Sequence, residues 1–124
     1  MNAVLQTWIE KVNAGDLEGV LEMYDDSATL LPTFSPQQAT TKAAIRAYFE
    51  NLAAKAALKV QLHPETLNEY RAGEGFECVS GHYTFSYEAE GKIQSFAARF
   101  TFVINAIKDH PIIHHHSSQV PQPH

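Results

Sequence analysis

Between Glu77 and Ile107 polar and apolar side chains alternate over two long runs, and this alternation restricts the fold more than any other stretch of the chain. In the first run, Glu77 to Tyr87, His82, Thr84 and Ser86 share one face while Tyr83, Phe85 and Tyr87 share the other, because successive strand side chains point to opposite sides. In the second, Ile93 to Ile107, Arg99, Thr101 and Val103 alternate with Ala98, Phe100, Phe102 and Ile104. Glu88 to Lys92, with Gly91, supplies the turn between them. The result is a long antiparallel hairpin with one polar and one aromatic face, and the aromatic face needs cover.

The remaining elements follow from period and punctuation. Val4, Leu5, Trp8, Ile9 and Val12 recur at helical spacing up to Gly15. Asp16 caps a short second helix carrying Leu17, Val20, Leu21 and Tyr24, which Asp25 and Asp26 end. Ala28 to Leu31 reads as a short strand, followed by a loop bounded by Pro32 and Pro36. Thr40 or Thr41 caps a third helix with an apolar stripe of Ile45, Tyr48, Phe49 and Leu52. After Lys55 the period changes to two: Leu58, Val60 and Leu62 alternate with Lys59, Gln61 and His63, in a strand that resumes after Pro64 as far as Tyr70. Ala72 to Gly75 turns into the hairpin, and Lys108 to His110 turns out of it into a last strand from Pro111 or Ile112 to Ser118. This order predicts an α+β fold with helices gathered on one face of a curved antiparallel sheet. One domain over 1–118 is expected, with a loosely ordered tail over 119–124.

Which hairpin face is inside has two answers. The aromatics can form the core and leave the polar face in water. Alternatively His82, Thr84, Arg99 and Thr101 line an enclosed cavity under the helices while the aromatics pack on another subunit. Trp8, Tyr48 and Phe49 already supply cover from the helices, which favours the second answer. Without a partner subunit over the aromatics, the first must hold.

Composition excludes several functions. With 44% hydrophobic and 19% charged residues the chain is too apolar to be disordered. A formal charge of -5 and nine scattered Lys and Arg residues argue against a nucleic-acid surface. No apolar run is long enough to span a membrane, and Met1-Asn2-Ala3 leads straight into an amphipathic pattern without the marks of a secretory signal, so a cytoplasmic protein is expected. The single cysteine, Cys78, excludes an internal disulfide and reads as a buried small hydrophobe.

The stretches AGDLEGVLEMYDDSATLLPT, IRAYFENL, SGHYTFSY, ARFTFV and IIHHHSSQVP, in this order over nearly the whole chain, resemble bacterial relatives of the calcium/calmodulin-dependent protein kinase II association domain. Those domains belong to the nuclear transport factor 2-like superfamily, alongside SnoaL-like cyclases and ketosteroid isomerases. KDHPII stands where a Gly-Lys-Trp-like turn is usual. The resemblance implies a cone-like fold, a bent sheet around a helix with a pocket at one end, and self-association through the outer sheet face as a dimer or larger ring. It also implies a pocket that accepts small carboxylates. The family's pocket arginines fall on Arg99, which is kept, on His82, on Ser117 and near Lys55.

A ligand site is therefore expected from Arg99, His82, Thr84, Thr101, His115, Ser117, Lys55 and Tyr48, taking a small polar or anionic molecule. A buried Arg99 needs a partner, either an internal carboxylate such as Glu77 or a bound one. The competing class is a SnoaL-like isomerase, cyclase or dehydratase, whose general base falls to His82 or His115, or to Asp25 and Asp26. No nucleophile, base and acid trio is legible, and no cofactor is expected. In IIHHHSS alternation separates His114 and His116 from His115, which shares its face with Ile113 and Ser117. Two histidines at i and i+2 lack the third ligand of a closed metal centre, so no metal site is expected.

Overall fold

A computed structural model describes residues 2–121. Helix α1, Ala3–Asn13, starts where the Asn2 side chain accepts the Leu5 N–H and buries Leu5, Trp8 and Val12. It stops before Gly15, whose φ of 70° only glycine adopts cheaply. Helix α2, Leu17–Glu22, is capped by Asp16, which accepts the Gly19 N–H. Helix α3, Lys42–Ala53, is capped by Thr41 and buries Ile45, Phe49 and Leu52. No helix among the described residues is long and apolar enough to cross a membrane.

Strands β1 (Tyr24–Leu31), β2 (Ala56–Arg71), β3 (Phe76–Ala89), β4 (Lys92–Asn105) and β5 (Ile112–Gln119) form one sheet in the order β1-β5-β4-β3-β2. All neighbours are antiparallel, as in the expected curved antiparallel sheet, except the edge pair β1 and β5, which runs parallel. β1 also starts earlier than expected. Tyr24 to Asp26 belong to the strand because Tyr24 registers with Ile112, whose N–H bonds to the Met23 carbonyl and ends the helix there. Gln119, placed in the tail by the sequence reading, pairs with Ala98, and the Val120 N–H donates to the Ala97 carbonyl, while residues 122–124 lie outside the described ones.

β2 shifts register between His63 and Asn68, around Pro64. Proline cannot donate to the ladder, and Thr66 fills in: its hydroxyl donates to the His63 carbonyl and accepts the His82 N–H. The strand bends at this bulge.

The helices lie on one side of the sheet, and the core is closed by Trp8, Phe49, Tyr83, Phe85, Phe100 and Phe102. Tyr83 stacks on Phe100 at 4.5 Å between centroids and on Trp8 at 5.8 Å. The hairpin's aromatic face is thus inside, and the expected reversal does not occur. His82 and Arg99 are register partners on the opposite, uncovered face, both exposed, and Thr84 and Thr101 share that face. Burying each aromatic ring contributes about 2–3 kcal/mol, whereas placing the Arg99 cation under apolar helices without a partner costs several. Cys78 registers with Val103 on the outer side and is only half-buried, not a core residue.

Asn13, at the end of α1, ties the helix layer to β2: its amide donates to the Val60 carbonyl at 2.9 Å and accepts the Val60 N–H at 2.7 Å. It extends the ladder of an edge strand with a side chain. Asn13→Ala is expected to lower stability by about 1–3 kcal/mol in urea unfolding, since both Val60 groups lose their partner. A change under about 0.5 kcal/mol would mean that water replaces the amide without loss.

Candidate functional site

Because β5 alternates, His115 and Ser117 point into the core while His114 and His116 share the outer face with Val103 and Thr101, their register partners. His115 lies flat on Phe102, centroids 3.9 Å apart, with the edge of Trp8 at 5.3 Å. Both of its nitrogens are engaged: Nδ1 is 2.7 Å from the Tyr24 hydroxyl and Nε2 is 3.1 Å from the Tyr83 hydroxyl. The Trp8 indole N–H donates to Tyr24 at 3.1 Å. At the other end Tyr83 and Ser117 hydroxyls are 2.7 Å apart, and Ser117 meets the Thr33 hydroxyl on the loop after β1. Six side chains from α1, β1, β3, β5 and a loop thus form one buried hydrogen-bonded chain.

Burial dominates the electrostatics of this chain. It drives the His115 pKa well below the ordinary imidazole value, assisted by His114 and His116, so the ring is neutral. It likewise pushes Tyr24 and Tyr83 up, so both hydroxyls keep their protons.

The chain surfaces near the loop Pro32–Gln38. On one side this loop borders a cleft of about 510 Å³ shared with Phe34, Ala44, Tyr48, Asn51 and Lys55. On the other it borders a cleft of about 310 Å³ that Thr33, Ser117 and His116 line. Phe34 anchors the loop by packing edge-on against Phe85, Tyr87 and Phe96. Lys55 lies 4.4 Å over the Tyr87 ring, and no ion pair among the described residues includes it. The Tyr48 hydroxyl is shielded from solvent and has no hydrogen-bond partner among the described residues, although Thr33 and Phe34 are its neighbours. An orphaned hydroxyl of this kind costs about 1–3 kcal/mol.

The expected site residues therefore separate into three groups. Lys55 and Tyr48 line one cleft. His115 and Ser117 belong to the buried chain, which ends at Thr33 and Ser117 on the smaller cleft, not on that of Tyr48 and Lys55. Arg99, His82, Thr84 and Thr101 sit on the far side of the sheet, and the β5 register partner of Arg99 is Ser118, not an inward histidine. Asp25 and Asp26 face outward: the Ser27 N–H and then Lys108 hold Asp25 below the usual carboxylate range, and Lys42 does so for Asp26. Among the described residues no cluster of His, Cys, Asp and Glu is suited to a metal ion. Sequence reasoning did not single out Tyr24, Tyr83, Thr33 or Phe34. The available signal was the inward face that Tyr83 shares with Phe85, once the hairpin is oriented correctly.

The model of the calcium/calmodulin dependent protein kinase II association domain matches residues 1–121. The chain belongs to that association domain family. A Xanthomonas campestris protein named for the same association domain is 28% identical, with 98% of this chain and 86% of that one covered and a TM-score of 0.86. A Novosphingobium aromaticivorans NTF2-like protein with a cystatin-like fold is 13% identical over 97% of this chain and 79% of its own, at a TM-score of 0.76. The epoxide hydrolase/cyclase-like enzyme SalBIII, of pyran ring formation in salinomycin, is 18% identical over 94% and 88%, also at 0.76. The last two likenesses are likenesses of fold. The α+β architecture of this association domain is thus the NTF2-like, cystatin-like one.

The neutral His115 makes this association domain acid-sensitive. In the unfolded chain the ring takes a proton near pH 6.5, while in the folded chain it resists, so stability is full above about 6.5 and falls as pH drops below it. Thermal unfolding is expected to show Tm falling from pH 7 to pH 5, before the carboxylates titrate, and His115→Gln to remove most of that slope. His114, also lowered by burial, contributes the remainder. An equal slope in the variant would contradict the neutral buried ring.

Proposed function

We propose that this association domain assembles with copies of itself through the uncovered outer face of its sheet, and that it binds a small anionic or polar molecule in the cleft under the Pro32–Gln38 loop. The observation that carries the ligand half is the Tyr48 hydroxyl, without a hydrogen-bond partner among the described residues, on a cleft also lined by Lys55, which is in no ion pair among those residues. A carboxylate satisfies both groups at once, accepting from the phenol and neutralising the ammonium. Arg99, expected to hold the anion, has a different role in this reading.

The assembly half rests on what covers the sheet. One face is sealed by helices, while the other presents Ser80, Thr84, Thr101, Ala97 and Ser95 in cross-strand register, with His82 and Arg99 among them. Such a row of small side chains permits close sheet-to-sheet approach, and association is what the family is named for. A binding role is favoured over catalysis because among the described residues no Asp, Glu or His lines the larger cleft and both nitrogens of His115 are already bonded.

Calorimetric titration with benzoate is expected to show binding that Lys55→Met weakens at least fivefold and Arg99→Ala leaves unchanged. Loss of binding in the Arg99 variant alone would return the anion site to the outer face. In sedimentation, Thr101→Arg is expected to convert the assembled species to monomer with the fold retained, because it puts a bulky charge in the middle of the contact face. An unchanged assembly would remove the sheet face from the interface.

A further inference from the structure

The open face of the sheet carries bases and, among the described residues, no acid in its central rows. Register sets His63, His82 and Arg99 side by side on β2, β3 and β4, with Ser118 of β5 next in the row. His116 lies opposite Thr101, which puts it diagonal to Arg99, and His114 lies opposite Val103. Lys59, opposite Ser86, adds a cation toward the hairpin end, while β1 contributes only Thr29 and Leu31. The carboxylates lie elsewhere. Glu69 and Glu77 pair in register with the buried Val79 and Ile104 and so belong to the helix side, Glu65 sits in the β2 bulge, and Glu88 lies beyond Ser86 near the hairpin turn. Asp25 and Asp26 are held by Lys108 and Lys42, and His110 is turned to the Glu22 carbonyl.

A face that docks on its own copy brings each group against the same set of groups. Arg99 only donates, so once docking excludes water its guanidinium needs acceptors. With no carboxylate in these rows, the acceptors are the hydroxyls of Thr84, Thr101 and Ser118 and the unprotonated nitrogen of a neutral imidazole. A protonated imidazole offers no acceptor and adds a like charge next to Arg99. The conflict exists already within one copy: burial and then the charge of His116 hold the His114 pKa below the ordinary imidazole value. Imidazole is the side chain that changes charge between pH 5 and 8, so the face turns in that range from one that accepts to one that repels its copy.

We propose that the outer face is a pH-gated self-docking surface: near neutral pH His82 and His116 accept hydrogen bonds from Arg99 across the contact between copies, and their protonation separates the copies. The proposal rests on the assembly reading given above and adds its regulation. Tyr70, 69% exposed, supplies with Cys78 and Val103 in register the apolar contact that this repulsion opposes.

Sedimentation at pH 7.5 and pH 6.0 reads the gate. The native protein is expected to show a roughly tenfold lower association constant at pH 6.0, with the near-ultraviolet circular dichroism of Trp8 and the buried tyrosines retained. His82→Gln combined with His116→Gln changes two exposed positions, keeps an acceptor at each and cannot charge. This variant is expected to assemble at both pH values within roughly threefold of the same constant. It keeps His115, so a fold lost through the core would dissociate it as well. Equal dissociation of variant and native protein at pH 6.0 therefore overturns the proposal. Native assembly that pH leaves unchanged but Thr101→Arg abolishes sinks this proposal alone, whereas a monomer at both pH values sinks the assembly reading and the gate with it.

Discussion

A neutral histidine enclosed by aromatic rings has two nitrogens to satisfy and no water to satisfy them, and much of the interior is arranged around that requirement. His115 draws Tyr24 to one nitrogen and Tyr83 to the other, and these draw in Trp8, Ser117 and Thr33. The partners come from α1, the edge strand β1, the interior strands β3 and β5 and the loop before α3, so the chain ties the parallel β1–β5 pairing to the hairpin. Packing alone would fill the same space with hydrocarbon. A polar chain tolerates fewer arrangements, because any slip leaves a buried donor unpaired.

The helices, the hairpin and the last strand were legible in the sequence because each rests on a local signal: the helical stripe from Val4 to Val12 stopped by Gly15, caps at Asp16 and at Thr40 or Thr41, and alternation in β3, β4 and β5. The start of β1 was not, since Tyr24 continues a helical stripe and leaves it only to pair with Ile112 from the far end of the chain. The site was legible in part. Tyr48 and Lys55 line the larger cleft, whereas Arg99 and His82, turned inward because Trp8, Tyr48 and Phe49 already supply cover, lie on the outer face. Alternation fixes which residues share a face and is silent on which face is covered. The deciding term is the cost of burying a guanidinium against the gain from burying Tyr83, Phe85, Phe100 and Phe102, and that comparison favours the aromatics.

Membership of the association domain family fits a molecule with one sealed face and one open face. The sealed face holds the polar chain and ends in a cleft; the open face carries small side chains, Arg99 and the remaining strand histidines. In the proposed reading, ligand binding and assembly occupy opposite sides of the same sheet. β5 serves both, with His115 and Ser117 inward and His114 and His116 outward.

The most direct test is a crystal structure of the protein grown with benzoate. The account predicts the carboxylate between the Tyr48 hydroxyl and the Lys55 ammonium, with the Pro32–Gln38 loop displaced and Arg99 free of ligand. Benzoate bound at Arg99 and His82, with the Tyr48 hydroxyl still unpartnered, would contradict it.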